Sequence, residues 1–298
     1  MKTVLFLFAL ISFVLVSSMK PKQPITTLKQ MSKLLKDEFA YIPGGSFSLD
    51  KKTYLVQGFF MLKTEVSNAD YRFYLNTLKS AGKIDAYQAA LPDTSAWKMS
   101  VGFFDKYVDY YFNHPAYKDY PVVNISREQA ENFCAWLTQV WRERTGNPDI
   151  TFRLPYRAEF LRAAWGESSG RTYAWNSPLL MNEKGQPQCN FLNVGATAVT
   201  RDSVTGQLKL ISPEEDEFYS EMPGTSDLIA PVKSYWPSDL GIYNLNGNAA
   251  EMVQEANMAV GGNWNSPGYD VRNESTQNFA KANPMVGFRP VMTYVEKK

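Results

Sequence analysis

One histidine, two cysteines and almost no net charge set the first limits on this 298-residue chain. A single histidine (His114) cannot supply a three-histidine iron site. With only Cys134 and Cys189 beside it, no Cys/His zinc constellation can be assembled. Basic and acidic residues number 31 and 30, so there is no electrostatic footprint for nucleic acid or an anionic surface. Neither GxGxxG nor GxxxxGK occurs, which removes the usual nucleotide-phosphate loops. His114 stands in YFNHPAY with no nucleophile elbow near it, and packing within a loop is its expected role. Long apolar runs are also scarce. The one present, residues 4–16, is broken only by Ser12 and is too short to span a bilayer comfortably. It follows Met-Lys and ends in Val16-Ser17-Ser18, the pattern of a signal peptide over residues 1–18. The chain is therefore expected to be exported. No cysteine follows the run, so a lipid-modified N-terminus is not expected.

What is plentiful is aromatic side chain, 14% of residues, in an otherwise ordinary soluble composition. Residues 19–38 are polar, with Pro21 and Pro24, and read as a partly disordered segment or a short helix. The globular pattern begins at FAYIPGGSFSL, where two strand-like stretches flank a Gly-Gly turn and predict a hairpin. TYLVQGFFML continues as strand. Ser67 opens a helix with Tyr71, Tyr74, Leu75 and Leu78 on one face and Gly82 as its stop. The clearest helix runs from about Arg127 to Arg144. Ser126 and Gln129 form its capping box, Ala130, Phe133, Cys134, Leu137, Val140 and Trp141 its apolar stripe, and Gly146 its end. Cys134 on that stripe favours two buried free thiols over a disulfide. A shorter helix is expected at residues 156–165, and loops with brief strands beyond it, in one domain over residues 39–298.

Two loops invite a chemical reading. NLNGNAAE (residues 244–251) offers amide oxygens, carbonyls at a glycine turn and one carboxylate, hard ligands suited to calcium. An Asn/Gly turn capping a short helix explains it equally well. GGNWNSPGYDVRNES (residues 261–275) looks like backbone held close to something. The run Glu214-Glu215-Asp216-Glu217 reads as a solvated face.

Seven blocks occur in order: IPGGSF, TEVSNADY, YPVVNISREQAENFCAWL, FRLPYRAEFLRAAWG, PVKSYWPSDLGIYNLNGNAAEMV, VGGNWNS and VGFRPV. Together they resemble the formylglycine-generating-enzyme (sulfatase-modifying factor) domain over about residues 39–295. The resemblance implies an α+β fold related to C-type lectins, a single domain with little regular secondary structure. FDKYVDYYFNHPAYKDYPVV with SYWPSDLGIYNLNGNAAEM is similar to the gliding-motility GldK/GldJ group, with the related PorK, of the type IX secretion machinery. That implies a periplasmic or outer-membrane-associated protein whose partners are other envelope proteins of a secretion or gliding complex, and leaves a homo-oligomer open. Several blocks depart from the family. NLNGNAAEM replaces the usual GNVWEW ending, Tyr156 stands where Thr caps the helix after RLP, and Arg127 replaces a Trp.

The family's oxidase activity rests on two cysteines that bind copper. Aligned from Gly261-Gly262, those positions hold Ser266 and Val271, neither of which can serve as a thiolate ligand. The related sulfoxide-synthase branch needs an iron-binding histidine cluster. The resemblance thus implies a pseudoenzyme without copper, haem or nucleotide. The family's calcium loop matches at Asn244, Gly247, Ala249 and Glu251, and a second calcium set would use Asn190 and Phe191 with Asp216 and Phe218. The leading expectation is a non-catalytic structural or interaction protein. The alternative is a lectin-like or peptide-binding module whose vacated groove is lined by Trp264, Ser266, Tyr269 and Val271; the third reading is an oxidase.

Overall fold

The computed structural model describes residues 25–98, 105–166, 168–192, 199–201, 208–210 and 228–294. The first described element is already part of the core. Helix α1 (Leu28–Leu35) carries a Thr27/Gln30 capping box and buries Met31 and Leu35. The polar stretch before Phe39 therefore contributes a packed helix, and the fold begins ahead of residue 39.

Strands β1 (Phe39–Ile42), β2 (Gly45–Leu49), β3 (Lys52–Val56) and β4 (Phe59–Leu62) follow. The expected hairpin across Gly44-Gly45 does not form. β1 pairs antiparallel with β4, and β2 with β3. The tight turn lies instead at Asp50 and Lys51, both with positive φ (51° and 63°), as a primed two-residue hairpin turn requires. Pro43 and Gly44 carry the chain from one sheet to the other. A side chain at Gly44 would stand 3.0 Å from the Val56 carbonyl and the Gly58 nitrogen, so the backbones there pass in close contact.

The expected helices are present with their caps. They are α2 (Asn68–Ser80) behind Ser67, α5 (Arg127–Thr145) behind the Ser126/Gln129 box and ended by left-handed Gly146, and α6 (Arg157–Trp165). Short α3 (Ile84–Ala89) and α4 (Asp105–Tyr110) lie between α2 and α5. Among the described residues no helix is long and apolar enough to cross a membrane.

The central sheet has the order β1-β4-β12-β5, with β5 at Thr151–Arg153 and β12 at Val291–Thr293, and is antiparallel throughout. Its two-residue period divides the core cleanly. Phe39, Phe60, Leu62, Phe152 and Met292 face one cluster with α1, α2 and α5. Ala40, Ile42, Phe59, Met61 and Val291 face the other, with α6 and the β2–β3 hairpin. Being covered on both sides, β4 reads FFML without a polar residue. Two short strands, β6 (Val199–Arg201) and β7 (Leu208–Leu210), pair with each other. A second sheet, β10-β9-β8-β11, combines β8 (Ala250–Met252), β9 (Met258–Val260), β10 (Thr276–Asn278) and β11 (Val286–Gly287), with β8 and β11 parallel. It brings the 244–251 and 261–275 loops against the central sheet.

Candidate functional site

The NLNGNAAE turn is wound against residues 189–192. Gly247 has φ +74°, and a Cβ there would lie 2.1 Å from the Asn190 carbonyl, so only glycine fits. That carbonyl accepts the Asn248 N–H at 2.8 Å. Asn244 and Asn248 also take positive φ, which asparagine tolerates better than most residues. The turn drives three asparagine side chains inward. The Asn246 Oδ1 accepts the Ala174 N–H, while its Nδ2 donates to the Val271 carbonyl and to the Asn273 Oδ1. The Asn248 Oδ1 accepts the Ala230 N–H. Its Nδ2 donates to Glu65 Oε1 at 2.8 Å, and the Asn244 Nδ2 donates to Glu65 Oε2 at 3.2 Å.

Glu65, Glu251 and Arg289 are all inaccessible to solvent or nearly so. Arg289 meets Glu251 through Nε and Nη2, the shortest contact being 2.6 Å. Nη1 also donates to the Leu62 carbonyl and Nη2 to the Tyr243 carbonyl. A buried guanidinium needs such acceptors. Burial pushes the Glu251 carboxyl up and the guanidinium pulls it back down. Among the described residues Glu65 has no such partner in direct contact. Desolvation raises it from 4.5 to about 7, opposed by Arg289 and reinforced by Glu251. This buried network ties the end of β4, the asparagine turn and the β11–β12 connection together.

Sequence reasoning singled out Glu251 and Asn244 but missed Glu65, Asn248 and Arg289. One signal was present for Arg289, a lone charge inside the apolar run VGFRPV. Nothing comparable marks Glu65.

The first calcium set does not fit an ion as arranged. The one carboxylate in Asn244, Gly247, Ala249 and Glu251 already holds a guanidinium, which would repel a cation placed beside it. In the second set, Phe191 is buried, the Asn190 Nδ2 donates to the Leu228 carbonyl, and Asp216 and Phe218 lie outside the described residues.

The GGNWNSPGYDVRNES loop folds onto itself. A Cβ at Gly262 would come within 2.6 Å of Val271. Val271 is fully buried against Tyr173, Cys189 and Phe191. The Ser266 Oγ accepts the Asn263 N–H and bonds the Gln277 amide at 2.7 Å. Trp264 is buried and donates from Nε1 to the Pro284 carbonyl. Only Tyr269 is exposed, with the Arg272 guanidinium stacked 3.4 Å over its ring. The expected groove over Trp264, Ser266, Tyr269 and Val271 is therefore closed, because three of the four are core. Cys134 and Cys189 are free, buried in separate clusters, and burial pushes both thiols far up. His114 caps a single turn of 3-10 helix, its Nδ1 accepting the Ala116 N–H. A groove of about 340 Å³ lies elsewhere, between α5 and β5.

A loop-rich α+β domain stitched through buried asparagine amides, with a guanidinium–carboxylate pair at its centre, is the class that fold and site define. The model of the sulfatase-modifying factor enzyme 1-like domain matches residues 25–294, and the chain belongs to that family. The formylglycine-generating enzyme of Streptomyces coelicolor is 28% identical over 151 residues, 51% of this chain and 34% of that protein. The enzyme of the same name from Mus musculus is 25% identical over 258 residues, 78% of this chain and 55% of that one. Among solved structures, CarF is similar at a TM-score of 0.48 and 17% identity, covering 85% of this chain and 97% of CarF. PvdO from Pseudomonas aeruginosa is similar at 0.49 and 15%, covering 85% and 93%.

Proposed function

We propose that this chain is a non-catalytic member of its family, an exported structural or interaction protein of the periplasm or outer-membrane face. In this reading it serves a gliding-motility or type IX secretion complex and acts through its ordered loops on other envelope proteins. The observation that carries the reading is at the two positions where the family's resemblance places copper-binding cysteines. Val271 is an apolar core residue, and the Ser266 hydroxyl is engaged by the Asn263 N–H and the Gln277 amide. A soft Cu(I) ion needs thiolates. The chain's two thiols are buried apart and held protonated. The signal-peptide pattern supports export, and the GldK/GldJ-like blocks support the complex. Affinity purification from the native host tests this. Recovery of envelope proteins of one assembly is the expected result; recovery of none overturns it.

A further inference from the structure

Beside the asparagine turn, and lined in part by Asn244, Leu245 and Asn246, two tryptophans frame a small pocket that nothing in the proposed function uses. Trp236 is 52% exposed at its mouth, and its indole Nε1 makes no hydrogen bond among the described residues. It is presented by Tyr235, which holds φ +60°, a left-handed conformation that bulky residues rarely adopt. Trp175, half-buried, forms part of the wall and is fixed by parallel stacking on Tyr173 at 4.7 Å and by donation from Nε1 to the Leu179 carbonyl. Between them lie Gln188, Ser238 and Asn244. Among the described residues the Gln188 Oε1 and the Asn244 Oδ1 accept no hydrogen bond, although Gln188 is anchored through Nε2 to Leu179 and Asn244 through Nδ2 to Glu65. The pocket therefore offers two amide oxygens and a serine hydroxyl on side chains already held in place, together with the indole of Trp236. Among the described residues no charged side chain lines it.

We infer that this is a binding site for a neutral saccharide. An exposed indole face suits the apolar C–H face of a pyranose, and neutral amides and hydroxyls suit its hydroxyl groups. The missing charge disfavours phosphorylated or uronic sugars, for which a cationic partner would be needed. The hole at its base is small, about 30 Å³, room for about two water molecules at roughly 10–15 Å³ each. A ring cannot enter it. The sugar ring lies on Trp236 while one substituent, a hydroxymethyl or the methyl of an acetamido group, fills the hole.

The test uses the full chain with neutral tetrasaccharides of glucose, mannose and N-acetylglucosamine, read by calorimetry and ligand-observed NMR. At least one is expected to bind saturably. Trp236→Ala should weaken it at least about tenfold, the loss of one anchoring aromatic, and Gln188→Ala should weaken it several-fold. Both side chains reach solvent, so both variants should keep the parent melting temperature. No binding by any of the three up to about 10 mM overturns the inference. So does binding that Trp236→Ala leaves unchanged, or a proline-rich peptide that binds through Trp236 when no saccharide does.

Discussion

Glu65 is held by two asparagine amides and, among the described residues, has no cation in direct contact, so its proton decides how well the centre of the molecule tolerates pH. Its folded value of about 7 lies above the ordinary 4.5. The folded chain therefore binds this proton more tightly than the unfolded one. The associated stability is fully present below about pH 4.5 and is lost as pH rises through 7, roughly 3 kcal/mol in all. Glu38 is shifted the same way to about 7, chiefly by burial and then by Asp70, and adds to the trend. Denaturation followed from pH 5 to pH 8 should show falling stability, and Glu65→Gln should make that slope shallower. Arg289 sets a second expectation. Arg289→Ala would leave the Glu251 carboxylate buried without its counter-charge, costing about 3–5 kcal/mol. Arg289→Met with Glu251→Gln should cost less than Arg289→Ala alone, as urea titration would reveal.

Helix α6 shows how an element survives the loss of its own signal. Tyr156 occupies the N-cap position but provides no side-chain cap. The Glu159 carboxylate reaches back to the Tyr156 N–H, and the distant Glu255 carboxylate accepts the Arg157 N–H through both oxygens. A carboxylate at a helix N-terminus satisfies exposed donors and opposes the dipole. Glu255→Ala should therefore destabilise the protein by about 1 kcal/mol, as an ordinary lost cap does. Strand β5 poses a related problem as an edge of the central sheet. The Thr138 hydroxyl of α5 accepts the Phe152 N–H at 2.9 Å and covers that edge. Thr138→Val keeps the shape but strands a buried donor, at a cost of about 1–3 kcal/mol measured by thermal melting.

Across the whole molecule, the family frame is retained, while Val271 packs in the core and Ser266 is held in a hydrogen-bond network with Asn263 and Gln277. The non-catalytic reading predicts that the purified chain, supplied with copper and a cysteine-containing peptide, consumes no oxygen above the buffer rate. Copper-dependent uptake would refute it. The same frame has room for recognition elsewhere, since Trp236 and its neighbours lie outside the loop that resembles the family's active site.

Much of this was legible in the residues alone. The capping box at Ser126, the stripe on α5 and the left-handed Gly146 are local signals, written within a few residues of the element they specify. Strand pairing was not legible. FAYI and GSFSL look like one hairpin until the sheets are assembled, since hydrophobic alternation says which face is buried but not which strand lies alongside. Nor was the centre of the site. Glu65 meets Asn244 and Asn248 across 179 and 183 residues, and Arg289 reaches Leu62 across 227. A charge can be buried only where distant chain supplies its partners, and only the tertiary fold brings those partners to it.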